Sequence, residues 1–173
     1  MQAVADLRGK LPAAAKDLRL NLQRVLEEDT LEPGLRYGVA LASAYATGSE
    51  ELVGLVRAAA GDALTPELID DAHAAVSIMA MNNVYYRFRH FLGESPTAKL
   101  PARLRMGRLA QPATRKENLE LFALAVSAIN GCELCVQTHD QVVREALSAE
   151  QSHAAARIAA VIAGVAAGLA LGE

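Results

Sequence analysis

The sequence predicts an all-α fold, and three observations lead to this expectation. Of the 173 residues, 52% are hydrophobic, with no Trp and only three Phe, which indicates a core of closely packed small aliphatic side chains. No stretch shows the sustained alternation of polar and apolar residues that is typical of a half-buried strand. Helix start and stop signals recur throughout, and no Ser/Gly-rich linker divides the chain. We therefore expect one compact helical domain over residues 1–173.

Prolines mark the expected helix starts. Pro12 opens the segment AAAKDLRLNLQRVL, and Pro33 precedes LRYGVALASAYA. Thr65 followed by Pro66 is typical of an N-cap with proline at the first helical position. Breaks between helices are expected at Gly48, Gly61, Gly93, the stretch from Pro96 to Pro101, Pro112 and Asn130-Gly131.

The uncharged stretch over residues 158–172 is predicted to be a buried helix. It is shorter than the roughly 20 residues that span a bilayer, so we expect no membrane insertion. Gly164, Gly168 and Gly172 recur at every fourth position, which would allow another helix to approach closely.

Two adjacent asparagines, Asn82 and Asn83, interrupt a helical pattern that otherwise favours Ala or Leu. We expect them to have a structural role, through buried hydrogen bonds or a helix distortion. Four aromatic residues follow, and they are predicted to form core or a subunit contact, with a pocket wall as the alternative: Tyr85, Tyr86, Phe88 and Phe91.

A weak internal duplication is predicted, with repeats over about 33–92 and 115–172. In this alignment Ser49 stands where Cys132 stands, and Tyr37 falls near the position of Glu120. The first repeat would then have the same helical arrangement but lack the reactive residues. Coincidence remains the alternative, because Ala-rich helices resemble one another easily.

Charge and cysteine content restrict the class of protein. The net charge is −3 and the basic residues are scattered, which argues against binding to nucleic acid or to an anionic membrane and favours small molecules or proteins as partners. Both cysteines lie in a single C-x-x-C, the pattern of a redox or metal site in a reducing compartment. The N-terminus does not read as a secretory signal. We expect a cytoplasmic location.

The C-x-x-C pair is the principal candidate for chemistry. Asn130-Gly131 is predicted to end a helix over about 116–129, after which a new helix begins at Cys132. Both Cys132 and Cys135 then lie in a first turn, where free backbone N–H groups and the helix dipole favour a thiolate. Cys132, Cys135 and His139 share one helical face, and an imidazole one turn beyond Cys135 can take the thiol proton and later return it.

Glu120 is predicted to support His139. Its neighbours in NLELFALAVSAI are apolar, so a half-buried carboxylate there needs a partner, and a carboxylate can fix the tautomer of His139. The alternative is that Glu120 lies at a helix surface and caps its first turn.

For the cysteines, the alternatives are a zinc site with His139 as third ligand and an inert buried pair.

Together these motifs resemble the alkylhydroperoxidase D family of the carboxymuconolactone decarboxylase-like superfamily. The similarity is carried by AINGCELCVQTHD with Glu120 twelve residues before Cys132, by MAMNNVYYRFRH, and by the N-terminal LPAAAKDLRLNL. It covers nearly the whole chain. One departure is Leu134, where some members have a second histidine, and it puts the strength of peroxidase activity in doubt.

The resemblance implies a thiol-dependent peroxidase or disulfide reductase in antioxidant defence, which reduces organic peroxides or a partner peroxiredoxin. It implies a homotrimer without a bound cofactor, supplied with electrons by a dihydrolipoyl dithiol on a 2-oxoacid dehydrogenase component. By the same resemblance, Cys135 attacks the peroxide, Cys132 resolves, and Glu120 with His139 relays protons through water. Two alternatives remain open: a non-catalytic thiol redox sensor or interaction module, and a carboxymuconolactone decarboxylase-like enzyme.

Overall fold

A computed structural model describes residues 2–171, and these residues form α-helices, short 3₁₀ turns and connecting loops without a β-strand. The all-α prediction is confirmed. The helices are α1 (Gln2–Lys10), α2 (Lys16–Glu27), α3 (Pro33–Thr47), α4 (Glu50–Ala60), α5 (Pro66–Leu92), α6 (Lys116–Ile129), α7 (Glu133–Ala146) and α8 (Ala149–Ala170). The 3₁₀ turns are Ala13–Ala15, Gly61–Ala63, Pro96–Lys99 and Gly107–Ala110.

Local sequence signals set the helix ends. The hydroxyls of Ser49, Thr65 and Ser148 each accept a hydrogen bond from a backbone N–H three residues on, which caps α4, α5 and α8. α3 and α5 start at prolines, as predicted, and α3 ends at Gly48, which has a positive φ of 75°. The segment after Pro12 starts with a 3₁₀ turn and becomes α-helical only in α2.

Helix α6 lies at the centre of the fold. It contacts α3, α5, α7 and α8, and its residues 119–127 are all buried. The contact with α3 depends on Gly38, because a Cβ atom there would lie 2.3 Å from Cζ of Phe122. A glycine on one helix thus makes room for the largest buried side chain on the other.

Helix α8 packs along α2, α3 and α6 through small residues. A Cβ atom on Gly164 would lie 2.8 Å from Leu18 of α2, so the predicted close approach of another helix is confirmed there. A Cβ atom on Gly168 would lie 2.8 Å from Leu11, which lies in the connection between α1 and α2. Gly172 is outside the described residues. By length and composition α8 is the one described helix that could cross a membrane, but this is weak evidence, since core helices pass the same test.

The loop between α5 and α6 is fastened to α5 by Asp71. This fully buried carboxylate accepts hydrogen bonds from the backbone N–H groups of Ala113 and Thr114 at 2.8 and 2.9 Å and from the Thr114 hydroxyl at 2.6 Å. Arg108 donates to it at 3.1 Å. Burial alone would raise the pKa of Asp71, but the bonds from Thr114, Ala113 and Arg108 outweigh burial and lower it.

Helices α3 to α5 and α6 to α8 follow one another in the same order of helix, short turn, helix and long helix. Ser49 and Cys132 both occupy the N-cap of the second helix of their set. Correspondence of this kind agrees with the proposed repeats over 33–92 and 115–172, and the duplication itself stays a prediction.

Candidate active site

The turn between α6 and α7 presents the cysteine pair. α6 ends at Ile129, and Gly131 adopts a positive φ of 66° so that the N–H of Cys132 can donate to the carbonyl of Ser127 at 3.2 Å. Cys132 is the N-cap of α7, and Cys135 lies in the first turn of that helix. The predicted boundaries of α6 and the placement of both cysteines are confirmed.

The two cysteine sulfurs are joined in a disulfide. The Cα atoms of Cys132 and Cys135 are 5.3 Å apart, within the usual range for disulfides, so one turn of helix bridges the pair locally. Cys132 is 1% exposed and Cys135 is 6% exposed. Of the two cysteines, Cys135 lines the neighbouring pocket and Cys132 does not, so the two residues differ in access.

Glu120 and His139 form a buried pair between α6 and α7. Oε2 of Glu120 lies 2.6 Å from Nδ1 of His139, and both residues are more than nine-tenths buried. A carboxylate in this environment requires such a partner. The predicted contact is therefore present, and the alternative of a surface carboxylate for Glu120 is wrong. The part of this pair in proton transfer stays a prediction.

Met79 of α5 contacts the other ring nitrogen of His139. Its Sδ lies 3.3 Å from Nε2, and Met79 is fully buried. In the described, disulfide-bonded chain both ring nitrogens thus pair with Glu120 and Met79, and neither pairs with a cysteine sulfur. Sequence reasoning missed Met79, because its place beside His139 arises from packing across 60 residues of chain.

A pocket of about 290 Å³ opens beside Cys135. It is walled by α5, by α7 and by two residues of the loop that Asp71 fastens. Its lining comprises Met79, Asn82, Tyr86, Met106, Leu109, Leu134, Cys135, Thr138 and His139. The walls are largely apolar, which suits an organic molecule with few polar groups.

The aromatic residues of α5 divide between different roles. Tyr86 lines the pocket, as the alternative interpretation held. The prediction of a core position is wrong for Phe88 and Phe91, which are 47% and 75% exposed. A subunit contact at these exposed side chains stays a prediction.

Asn83 ties α5 to the turn before the cysteines. Its Nδ2 donates to Oγ of Ser127 at 3.0 Å, and its Oδ1 accepts from Nδ2 of Asn130 at 2.9 Å. Arg87 donates to the carbonyl of Asn130. Buried hydrogen bonding by this asparagine is confirmed. For Asn82, Nδ2 donates to Sδ of Met106 at 3.0 Å, whereas the buried Oδ1 has no partner among the described residues.

A second depression of about 380 Å³ adjoins the pocket. The two share Tyr86 and Leu134, and Leu134 is 49% exposed between them. Charged residues of both signs line the second depression: Arg89, Lys99, Glu94 and Glu133, with His90. Leu134, the position of the departure noted above, therefore lies at the surface beside the site.

Among the described residues, no group of three or more His, Cys, Asp or Glu side chains is placed to hold a metal ion. The zinc alternative needed Cys132, Cys135 and His139 as ligands. In the structure the two cysteines bond to each other, and His139 pairs with Glu120.

Similarity to known proteins covers most of the chain. Residues 96–171 match the carboxymuconolactone decarboxylase family. The chain is 53% identical over 161 residues to "Alkyl hydroperoxide reductase AhpD" of Anaeromyxobacter dehalogenans strain 2CP-1, which covers 92% of this chain and 87% of the relative. Proteins with the same name from Anaeromyxobacter sp. strain Fw109-5 and Rhodopseudomonas palustris strain BisB18 are 54% identical over 161 residues and 42% identical over 159. These two cover 92% and 91% of this chain, and 87% and 88% of the relatives.

Proposed function

Because the chain belongs to the alkyl hydroperoxide reductase AhpD family, we propose that it is a thiol-dependent peroxidase that reduces organic hydroperoxides in antioxidant defence. One observation supports this proposal above all others. Cys135 and His139 line the same apolar pocket, Cys135 is joined to Cys132 in a disulfide, and His139 pairs with the buried Glu120.

The proposed peroxide step uses Cys135 as the attacking thiol. Its thiolate attacks the terminal oxygen of R–O–O–H, the O–O bond breaks, and sulfur takes the OH to form a sulfenic acid. The leaving alkoxide takes a proton and departs as the alcohol. The thiolate of Cys132 then attacks the sulfenic sulfur, forms the disulfide and releases hydroxide, which a proton converts to water. One hydroperoxide and two thiols thus yield one alcohol, one water and one disulfide.

His139 and Glu120 are proposed to supply and remove the protons of this cycle, with the help of water. The imidazole takes the proton of the Cys135 thiol before attack and gives it to the leaving alkoxide afterwards. Glu120 orients the ring through Nδ1, which leaves Nε2 for the exchange. Since Nε2 faces Met79 in the disulfide form, the ring must exchange this sulfur for the Cys135 thiol when the pair is reduced.

We propose a dihydrolipoyl-type dithiol, carried by a lipoylated 2-oxoacid dehydrogenase component, as the reductant. It would supply the two electrons and two protons that reopen the disulfide, so the protein needs no bound cofactor. A partner peroxiredoxin is the second proposed electron acceptor. These reactions belong in the reducing cytoplasm. The charged depression that shares Tyr86 and Leu134 with the pocket offers a partner a place to dock beside the site.

We also propose that the protein acts as a homotrimer. Helix α5 exposes the apolar side chains of Val84, Phe88 and Phe91, spaced four and three residues apart on one face, at 59%, 47% and 75%. An exposed apolar stripe of this kind is typical of a surface that another subunit covers.

A peroxidase assay with alternative reductants tests the function. Reduced protein is mixed with cumene hydroperoxide, and turnover is compared with dihydrolipoamide, thioredoxin and glutathione as electron donors. We expect turnover with dihydrolipoamide and none in Cys135→Ser. A redox sensor would form the disulfide once without turning over. A carboxymuconolactone decarboxylase-like enzyme would instead act on its lactone when Cys135 is absent.

A further inference from the structure

We propose that Asn82 binds the hydroperoxide, with Oδ1 of its side-chain amide accepting a hydrogen bond from the terminal O–H of R–O–O–H. The inference rests on the proposed function and assigns a substrate contact to a residue outside the cysteine motif. Asn82 belongs to α5 and lines the same pocket as Cys135.

Only the nitrogen of the Asn82 side-chain amide has a hydrogen-bond partner among the described residues. The residue is 5% exposed, its Nδ2 donates to Sδ of Met106 at 3.0 Å, and Oδ1 is buried without a partner among the described residues. Thioether sulfur is an acceptor, so the N–H₂ group belongs on the Met106 side. Turning the amide over would set two acceptors against each other and leave the N–H₂ group unpaired instead. In either orientation one buried polar atom of this pocket-lining side chain has no partner among the described residues, and a small shift of the side chain or of Met106 would let a pocket molecule reach it.

The adjacent asparagine shows that this arrangement is particular to Asn82. Asn83 uses both ends of its amide within the protein, with Ser127 on one side and Asn130 on the other. It does not line the Cys135 pocket. Of two neighbouring buried amides, the one with no structural partner for its oxygen is therefore the one that lines the pocket.

A second unpaired polar atom serves as a comparison. Oγ of Ser43 in α3 is also buried without a partner, but Ser43 lies away from the pocket. A serine hydroxyl can turn towards the carbonyl of the preceding helical turn at little cost. An amide oxygen can only accept a hydrogen bond, so unlike a hydroxyl it cannot pair with a nearby carbonyl and needs a donor.

The proposed contact would set the direction of the O–O bond. With the terminal O–H held by Asn82, the terminal oxygen is presented to Cys135, and the organic group R extends along the apolar walls formed by Met106, Leu109 and Leu134. Hydrogen peroxide has the O–H but no R group. The pocket therefore favours hydroperoxides with an apolar R.

Three variants test the assignment: Asn82→Leu, Asn82→Ala, and Ser43→Ala as the matched control. Fully reduced protein is mixed once with cumene hydroperoxide, and the second-order rate of Cys135 oxidation is measured. The same proteins are alkylated with iodoacetamide, which reports the thiolate without needing an O–H acceptor. Urea unfolding gives the stability of each variant.

We expect both Asn82 variants to lose about three- to tenfold in the hydroperoxide rate, as for one neutral hydrogen bond. Their alkylation rates should match those of wild type and of Ser43→Ala, and Asn82→Leu should unfold at the same urea concentration as wild type or a higher one. Equal losses in oxidation and alkylation, or an unchanged oxidation rate, would overturn the assignment. Wild-type protein that reacts no faster with the hydroperoxide than a free thiol would instead refute the proposed function.

Discussion

Oε2 of Glu120 lies 2.6 Å from Nδ1 of His139, across the contact between α6 and α7. The two residues are separated by 19 positions in sequence, and the sharp turn at Gly131 brings their helices together. A buried carboxylate paired with an imidazole beside a cysteine is an arrangement suited to moving protons.

The first prediction concerns this pair as a proton relay. Glu120→Gln should slow the oxidation of Cys135 by hydroperoxide about tenfold near pH 7, and His139→Ala about a hundredfold. An unassisted cysteine thiol has a pKa of about 8.5, so raising the pH to about 9 should restore much of both losses. Cys135→Ser should be inactive at every pH. Single-turnover kinetics over this pH range provide the measurement.

Residues that act as a unit are not additive, so the double variant Glu120→Gln with His139→Ala should be little slower than His139→Ala alone. Fully additive losses, or a Glu120→Gln rate equal to wild type near pH 7, would remove Glu120 from the relay.

The second prediction follows from the unequal access of the two cysteines. Cys132→Ser should still be oxidised by one equivalent of hydroperoxide, because Cys135 lines the pocket, and should stop at a sulfenic acid that dimedone traps. Cys135→Ser should give no such adduct, since Cys132 does not reach the pocket. Mass spectrometry of the adducts, and of the reversible disulfide in wild type, checks both outcomes. A dimedone adduct on Cys132 in Cys135→Ser would reverse the assigned roles.

A third prediction concerns Asp71 and pH. Its pKa is lowered in the folded protein, so its stabilisation is fully present above the unfolded value of about 4 and is lost as the pH falls through the lower folded value. Asp71→Asn should therefore destabilise the protein by about 2–4 kcal/mol near pH 7 and by less below about pH 4.

Its neighbour Asp70 provides the control. Asp70 also pairs with Arg108, at 2.6 Å, but its side chain is 62% exposed, so Asp70→Asn should cost less than about 1 kcal/mol. Urea unfolding of both variants from about pH 3 to 7 gives the comparison. Equal losses in the two variants would show that the bonds from Ala113 and Thr114 contribute little.

The fourth prediction tests the packing of α3 on α6. Gly38→Ala should destabilise the protein by about 1–3 kcal/mol, because the added methyl group would collide with the ring of Phe122. Gly54→Ala in α4 is the matched change, since a Cβ atom there has no neighbour within 4 Å. The free energy of unfolding of that variant should instead rise by about 0.5–1 kcal/mol, because Ala has a higher helix propensity than Gly. Thermal unfolding should move the two midpoints in opposite directions, and a shared direction would contradict this account of α3.

A fifth prediction concerns oligomeric state. Sedimentation at micromolar concentration should show a trimer for the wild type, and Phe88→Asp should shift it towards monomer by placing a charge on the exposed stripe of α5. Leu20→Asp changes a similarly exposed residue, 57% exposed on α2, and should leave the trimer intact. A wild-type monomer, or equal dissociation of both variants, would argue against α5 as the contact.

The local parts of this protein follow from its sequence. The bounds of α6, the turn at Asn130-Gly131 and the position of Cys132 at a helix start depend on residues within a few positions of one another. Backbone propensities and capping act over that distance. The spacing of the two cysteines likewise determines that one turn of helix can bridge them.

Other features were decided by packing between distant segments. Met79 contacts His139 across 60 positions of sequence, and Met106 lines the pocket from the loop that Asp71 fastens to α5. The sequence did not decide between a core position and a subunit contact for Phe88 and Phe91, because a helical pattern gives the spacing of apolar residues but not which face a neighbouring helix covers. Periodicity assigns side chains to faces of one helix, whereas burial and pocket walls depend on the three-dimensional contacts of all the helices. The cysteine motif could therefore be identified from the sequence alone, whereas the residues that surround Cys135 are determined by the tertiary structure.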